Sequence, residues 1–383
     1  MKFYIKTFGC QMNEYDSQCI AGQLVEHGFR QIKDADEADI IIFNTCSVRE
    51  HAVQRFYTIL SETKKLKEKK PGLLVGVCGC LAEQEKTGIL NRFPWVQVVI
   101  GPGNIGIAGD FVKKAIENKS RIVETGKFNP PHLNPLPPVE RKNMEMAYVP
   151  IIRGCDNFCS YCVVPHLRGR EQSRPADEII AEAERVAAGG FKEIMLLGQN
   201  VCSYKDSRAS CVVRRASKSN DFVELLKEIE KIKGIEKISY MTAHPKDMTL
   251  ELIEAIAASD KMEKEFHLPL QSGSDRILEA MNRGYTRKHY LDLIKTIKDR
   301  IPGAVFSTDI IVGFPGETEE DFLQTLEIVK GTRFNNAFMF KYSDRPNTKA
   351  LGMQDKVSEE EKESRLKRLI SLNSENIKKN RNY

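Results

Sequence analysis

The stretch "AYVPIIRGCDNFCSYC" (147–162) runs an apolar segment straight into three cysteines. Residues 147–153 read as a buried strand. Cys155, Cys159 and Cys162 then follow in a CxxxCxxC pattern. A closed structural zinc site takes four protein ligands, and nothing nearby supplies a fourth. Iron–sulfur clusters also take thiolates, and spacing this short lets one loop wrap three corners of a four-iron cube. The fourth iron would then be open to another ligand.

Downstream of this loop, strand and helix patterns alternate. The candidate strands are 147–153, 193–199, 236–243, 265–271, 304–313 and 336–343, separated by helical segments such as 175–190 and 318–331. Six βα units with right-handed crossovers predict a partial (βα)6 barrel over 147–350, with its site at the carboxyl ends of the strands. The basic, polar run 202–221 interrupts the pattern where a short loop would suffice, so it reads as a surface insertion. Residues 351–383 read as a charge-rich helix.

Upstream, "NPPHLNPLPPVERKN" (129–143) denies backbone donors and favours extended chain. It sets a linker over 119–146. Residues 1–118 alternate short apolar runs (3–9, 39–45, 73–79, 96–101) with amphipathic segments at 16–28 and 49–70. That pattern predicts a small doubly wound parallel sheet, so the whole chain is α/β. Cys10, Cys46 and Cys80 each fall at the carboxyl end of one of the first three strands, where open α/β sheets form their sites.

Bulk properties set the class. The 383 residues suit two or three domains, with 41% hydrophobic and 29% charged residues. No apolar run approaches the ~18 residues that span a bilayer, and "MKFYIKTFGC" lacks a signal-peptide core. A cytoplasmic protein without a membrane segment is expected. The net charge of +5 neither requires nor opposes nucleic acid. Ten cysteines without a secretory signal favour metal, cluster or catalytic use over disulfides.

The CxxxCxxC loop, with Tyr161 before its last cysteine and after the first strand of a βα barrel, resembles the radical S-adenosylmethionine (SAM) signature. "TFGCQMNEYDS" (7–17), "NTCSVRE" (44–50) and "GCLAEQ" (79–84) resemble the amino-terminal domain of the methylthiotransferases. "RGCDNFCSYCVVPHLRGREQSRP" (153–175), "LGQNV" (197–201), "HLPLQSGSDRIL" (267–278) and "STDIIVGFPGETEEDF" (307–322) resemble their central radical SAM domain. "GCQMN", "SRP" and "LGQNV" point within that family to the tRNA-modifying MiaB type. The resemblance covers nearly the whole chain.

The resemblance implies two 4Fe-4S clusters, one on Cys155, Cys159 and Cys162 that binds and cleaves SAM, the other an auxiliary cluster on Cys10, Cys46 and Cys80. One SAM methylates a sulfur held at the auxiliary cluster, and a second supplies the radical that removes hydrogen from C2 of adenine. The implied substrate is tRNA carrying N6-isopentenyladenosine next to the anticodon. A C2–H this inert needs a cofactor radical, and the target base is expected to leave its stack for a water-excluded cavity. An electron donor such as flavodoxin or ferredoxin, a sulfur donor and a monomeric enzyme complete the expectation.

Secondary positions carry over from the superfamily. Gln199 and Asn200 stand where the SAM amino group is contacted. Gln271, Ser272, Thr308 and Asp309 are candidates for SAM ribose or carboxylate contacts. Arg168 and Arg170 are candidates for the SAM carboxylate or a tRNA phosphate, against ordinary surface ion pairing. His244 and His267, near strand ends, are candidates for substrate contact or core histidines. Cys19 reads as packing, and Cys78, mid-strand beside Cys80, is not counted among the ligands. Cys202 stands in place of an asparagine and reads as a neutral change or an oxidation-prone thiol, and Cys211 as exposed. Family members carry a small carboxyl-terminal β-barrel that grips RNA, and none appears before residue 383. The alternatives are the same chemistry on threonylcarbamoyladenosine tRNA or a ribosomal protein side chain. More distant is a non-catalytic cluster or zinc protein that binds nucleic acid.

Overall fold

A computed structural model describes residues 1–48, 50–126, 139, 141, 146–206 and 220–380. The proline-rich stretch 129–143 and the insertion at 202–221, with Cys211, lie largely outside these described residues. The chain forms two compact units. Met1–Gly154 with His166–Pro175 makes the first, and Cys155–Pro165 with Ala176–Tyr383 the second.

The first unit alternates β1 (Lys2–Phe8), α1 (Gln11–Glu26), β2 (Arg30–Gln31), β3 (Ile40–Thr45), α2 (Glu50–Lys69) and β4 (Leu74–Gly79). Then come α3 (Cys80–Glu85), α4 (Thr87–Arg92), β5 (Val98–Ile100), α5 (Ala108–Asn118) and β6 (Ile122–Glu124). The strands pair in parallel in the order β2-β1-β3-β4-β5-β6. Helices cover both faces, so every residue of β3, "IIIFNT", is buried. On one face Gln23 of α1 donates Nε2–H to the Ile105 carbonyl at 2.8 Å and accepts from the Gly109 N–H at 3.0 Å, tying α1 to α5. On the other, Phe56 of α2 packs its ring edge-on against Phe8 and Phe43, with centroids 5.8 and 5.9 Å away. The order reverses direction between β1 and β3, the switch point at which such sheets bind ligands.

Two short strands correct the sequence reading. β2 was not anticipated, and β6 pairs with β5 beyond residue 118, so the first unit extends past the expected boundary. Three half-buried edge residues, "IVE", carry too little pattern to be read as a strand. The first unit also contains β7 (Met146–Pro150), β8 (Ile152–Arg153) and β9 (Gln172–Ser173). β8 pairs antiparallel with β9, and Arg174 donates Nη1–H to the Pro150 carbonyl at 2.7 Å. The single strand expected at 147–153 is therefore two. α6 (Val164–Arg168) spans the division between the units.

The second unit repeats helix and strand. It comprises α7 (Ala176–Ala188), β10 (Glu193–Leu197), α8 (Asp221–Glu230), β11 (Lys237–Tyr240), α9 (Leu250–Ala258) and β12 (Glu265–His267). After these come α10 (Asp275–Ala280), α11 (Arg287–Arg300), β13 (Val305–Val312), α12 (Glu319–Thr332), β14 (Asn336–Lys341) and α13 (Glu359–Asn380). β10 pairs with β11, a bridge joins Ile238 to Met262, and β12, β13 and β14 pair in turn, all parallel. These are strands of the partial barrel expected from sequence. Along β13 burial alternates strictly. Phe306, Thr308 and Ile310 face the helices, while Ser307, Asp309 and Ile311 face inward with Phe338 and Phe340 of β14.

α13 seals the barrel edge through a buried face that is largely polar: Lys362, Arg365, Leu369, Asn373 and Asn376. Arg365 donates Nη1–H to the Glu317 carboxylate at 2.8 Å and to the Glu317 carbonyl at 3.0 Å. Glu317 Oε2 also accepts from the Gly313 N–H at 2.6 Å. Removing one partner of a buried pair strands the other charge. Arg365→Ala should therefore destabilise the second unit by about 3–5 kcal/mol. Arg368→Ala, losing an exposed pair with Glu319, should cost no more than about 1 kcal/mol. Urea titrations of the two variants side by side test the contrast.

Candidate metal centres

In the first unit the pairing register aligns Phe8 with Thr45 and Thr45 with Gly79. Cys10, Cys46 and Cys80 therefore leave three neighbouring strands at one sheet end. A buried amide lattice holds that end together. Asn13 donates Nδ2–H to Asn44 Oδ1 (3.1 Å) and to the Thr45 carbonyl (3.2 Å). Asn44 returns bonds to the Asn13 carbonyl (2.8 Å) and to Ser17 Oγ (3.0 Å). Thr45 donates its hydroxyl to the Cys78 carbonyl at 2.6 Å. Two glycines permit the approach. A Cβ on Gly9 would collide with Asn13 Oδ1 and sit 3.0 Å from Cys46 Cβ, and a Cβ on Gly79, at φ +93, would sit 2.5 Å from Asn44 Oδ1 and from the Thr45 carbonyl.

Each sulfur here has a polar neighbour. Cys10 Sγ–H points to Asn13 Oδ1 at 3.5 Å, and Cys46 Sγ accepts from the Val48 N–H at 3.3 Å. Cys80 Sγ accepts from Arg168 Nε–H at 3.3 Å. Arg168 is in turn held by Asp16 at 3.0 Å, and Arg153 lies 3.5 Å from the same fully buried carboxylate. Burial pushes the Cys80 thiol up to about 11, with Arg168 pulling the other way. Arg168 thus corrects the expectation of a SAM carboxylate, tRNA phosphate or surface contact.

In the second unit Cys155, Cys159 and Cys162 sit on a loop pinned by the segment that follows α10. Ser160 donates its N–H to the Met281 carbonyl (3.0 Å) and its hydroxyl to the Ala280 carbonyl (2.7 Å). Asn282 donates Nδ2–H to the carbonyls of Asn157 and Phe158. Arg283, almost fully buried, donates Nη1–H to Cys159 Sγ at 3.3 Å and reaches the Tyr161 hydroxyl at 3.4 Å. Burial, then the neighbouring Cys159, pushes the Cys162 thiol up to about 12. Phe158, Thr242, Gln271 and Asn282 all hold positive φ. For a β-branched residue such as Thr242 that is a real strain, of the kind that collects at functional sites.

The secondary candidates divide. Asn200, buried after β10, donates Nδ2–H to Asp247 at 2.7 Å and leaves Oδ1 unpartnered. Gln271 leaves Oε1 unpartnered, as His244 leaves Nε2. Gln199 is half-buried two residues beyond β10. Asp309 faces inward and meets His267 Nε2 at 3.3 Å, while His267 Nδ1 lies 2.9 Å from Ser307 Oγ. Thr308 and Ser272 do not fit a cofactor role. Thr308 faces the helices, donating to the Leu268 carbonyl and accepting from the Leu270 N–H. Ser272 is fully buried and its Oγ accepts from the Ser274 N–H. Arg170 is exposed. Cys19 is buried as expected, and Cys78 and Cys202 are buried too. Burial and Asp247 push the Cys202 thiol strongly upward, so the oxidation-prone reading fails. Sequence reasoning missed Arg283, Asp16, Asn13 and Asn44. The one available signal was their place in the segments "MNRGY", "QMNEYDS" and "NTC".

The donor chemistry suits clusters and SAM. All nine cysteines among the described residues are free. No three His, Cys, Asp or Glu side chains among the described residues converge closely enough to share one ion. Buried N–H donors to ligand sulfurs are a feature of iron–sulfur sites. The unpartnered buried atoms of Asn200, His244 and Gln271 call for a polar ligand.

Comparison with known proteins places this geometry. Residues 149–329 match the Radical SAM superfamily model, and residues 2–101 match the model described as Uncharacterized protein family UPF0004. The chain is 46% identical over 374 residues to the tRNA-2-methylthio-N(6)-dimethylallyladenosine synthase of Pelotomaculum thermopropionicum, covering 97% of this chain and 82% of that one. The synthase of the same name from Clostridium tetani is 43% identical over 380 residues, covering 99% and 82%. Among solved structures, the radical SAM methyltransferase TsrM from Kitasatospora setae, with cobalamin and a [4Fe-4S] cluster bound, aligns at a TM-score of 0.62 and 16% identity, covering 91% of this chain and 77% of that one. The radical enzyme OxsB aligns at 0.60 and 11% identity, covering 99% and 56%. At those identities the structural likeness speaks for the fold. No helix among the described residues is long and apolar enough to cross a membrane.

His244 gives a pH test. Its Nδ1 accepts from the Lys246 N–H at 3.3 Å, which leaves the ring proton on the unpartnered Nε2. Burial, then Arg283 and Lys246, lowers its pKa from 6.5 to about 2. The folded ring refuses a proton that the unfolded chain accepts below about 6.5, so this contribution to stability is present above pH 6.5 and is lost as pH falls. His244→Gln should flatten the acid limb between pH 6.5 and 4.5 by up to about 1.4 kcal/mol per pH unit. Urea midpoints across that range check it, and an unchanged slope would contradict the neutral buried ring.

Proposed function

The chain belongs to the tRNA-2-methylthio-N(6)-dimethylallyladenosine synthase family of radical SAM enzymes, and from that premise we propose how its residues divide the work. Cys155, Cys159 and Cys162 hold the 4Fe-4S cluster that binds SAM, and Cys10, Cys46 and Cys80 hold the auxiliary one. The supporting observation is that the first set of three cysteines leaves the ends of three parallel strands, the second sits on the loop after β8, and each has a buried arginine on one sulfur. When bound, the clusters and SAM supply the radical that removes hydrogen from C2 of the adenine and the methylated sulfur that replaces it. The chemical change in the tRNA is N6-dimethylallyladenosine, the isopentenyl nucleoside, to its 2-methylthio derivative.

The protein's own groups bind and orient. Asn200 Oδ1 and Gln271 Oε1, with Gln199, accept from the SAM amino group or ribose. Asp309, steadied by His267, accepts from ribose hydroxyls. Phe338 and Phe340, inward on β14 and nearly half exposed at 46% and 45%, offer aromatic faces to the extruded adenine and its prenyl chain. Phe338 stands in register with Asp309 and Phe340 with Ile311. Exposed Arg170 is suited to a tRNA phosphate. The enzyme works as a cytoplasmic monomer, drawing an electron from a flavodoxin- or ferredoxin-like donor and sulfur from a separate donor.

Nucleoside mass spectrometry after anaerobic incubation of cluster-reconstituted protein with SAM, a reductant and prenylated tRNA tests the reading. A mass gain matching SCH3 in place of hydrogen on the modified adenosine is expected. Release of 5′-deoxyadenosine with an unaltered nucleoside would point to another substrate. Cys159→Ala should abolish SAM cleavage and spare the iron bound through Cys10, Cys46 and Cys80. Cys46→Ala should retain SAM cleavage and lose the methylthio product, and a product from that variant would overturn the auxiliary role. Phe338→Ala should raise KM for prenylated tRNA roughly tenfold, the scale of one lost base-stacking contact of about 1–3 kcal/mol, with SAM binding unchanged.

A further inference from the structure

Arg168 and Arg283 occupy matching positions in the two centres. Each lies inside its own unit, each is almost fully buried, and each places one guanidinium N–H 3.3 Å from one of three cysteine sulfurs. Neither contact is loose. Arg168 is fixed through its Nη2 by Asp16 at 3.0 Å. Arg283 donates Nε–H to the Tyr285 hydroxyl at 3.2 Å and Nη2–H to the Pro269 carbonyl at 3.1 Å. That carbonyl also accepts from Tyr285 at 2.9 Å.

The two differ in charge balance. Asp16, itself fully buried, answers the charge of Arg168. The described partners of Arg283 are a carbonyl, two hydroxyls and a sulfur, with no carboxylate among them. A buried guanidinium without a counter-ion costs several kcal/mol. An anion beside Arg283 would offset that cost, and the sulfur it already touches is where a thiolate-ligated cluster would bring one.

We propose that Arg168 and Arg283 are positioning residues that set the reduction potentials of the auxiliary and the SAM-binding cluster through charged N–H···S hydrogen bonds to Cys80 and Cys159. A donor and a positive charge on a ligand sulfur stabilise the reduced, more negative cluster and raise its potential. Asp16 is shared between Arg168 and Arg153, so it offsets the Arg168 charge in part, and the effect at Cys80 is the smaller of the two. The inference rests on the cluster ligands proposed above.

The test uses full-length protein with one cluster at a time. One background carries alanine at Cys10, Cys46 and Cys80, the other at Cys155, Cys159 and Cys162. Iron and sulfide are counted after anaerobic reconstitution, and midpoints are read by EPR-monitored redox titration. Arg283→Gln keeps an N–H and loses the charge. It should lower the reduced-to-oxidised ratio at fixed potential about tenfold, which is about 59 mV for one electron, with iron content unchanged. Arg168→Gln should lower its ratio less than threefold. Where a glutamine variant fails to take up iron, the lysine variant at that position decides, and its midpoint should lie below the parent's because the fixed fork is gone. Midpoints equal to the parent's at equal iron content would overturn the proposal. A parent protein that binds no iron would overturn the ligand assignment, and this inference with it.

Discussion

The arrangement of the first centre depends on the pairing register of β1, β3 and β4. Parallel strands lie about 4.8 Å apart, so ligands that leave neighbouring strands at matched positions arrive within reach of one cluster. The register aligns Phe8, Thr45 and Gly79, so Cys46 and Cys80 leave at matched positions and Cys10 leaves one residue further on. A slip of one residue would turn each cysteine to the opposite face. Asn13 and Asn44 guard against it. Each amide bonds the other's chain, so that β3 cannot slide past the start of α1 without breaking four buried hydrogen bonds. Such a fully satisfied polar network adds directional specificity that apolar packing does not.

The candidate ligands stood out in the sequence because cysteine is rare and its chemistry narrow. Cys10, Cys46 and Cys80 were recognisable from their place after apolar runs, and the structure keeps that order. The partners of the arginines were not legible, although Arg168 itself stood out as a candidate. Arg168 is 88 residues from Cys80, and Arg283 is 124 from Cys159, and arginine is ordinary on any surface. Thr308 was misread beside Asp309 because a strand sends neighbours to opposite faces, and sequence alone does not say which face is the inner one. Cys202 was misread because its exposure depends on how the turn after β10 folds back under Asp247. The missed β6 had only three residues in which to show itself.

The second unit carries its cost in unsatisfied groups. Asn200, His244 and Gln271 each keep a buried polar atom without a partner, and Thr242 and Gln271 hold strained backbone. Each feature opposes folding by itself. Asn200, His244 and Gln271 share a neighbourhood, the turns after β10, β11 and β12. Polar atoms left unpaired at strand ends are preorganised for a ligand that can satisfy them, because no protein bond has to break when it binds.

Arginine suits such a site better than lysine for reasons of geometry. Its donors are fixed in one plane, so two can be committed to anchoring groups while a third is held on sulfur. Arg283 does this: Nε and Nη2 lock onto Tyr285 and Pro269, which holds Nη1 at Cys159 with the Tyr161 hydroxyl beside it. An ammonium on a flexible stem would follow its strongest partner and leave the sulfur. The same residue also ties "MNRGY" to the cysteine loop, which Ser160 and Asn282 hold from the side. Loop position and ligand charge are therefore controlled by one short segment, and a change in that segment would alter both together.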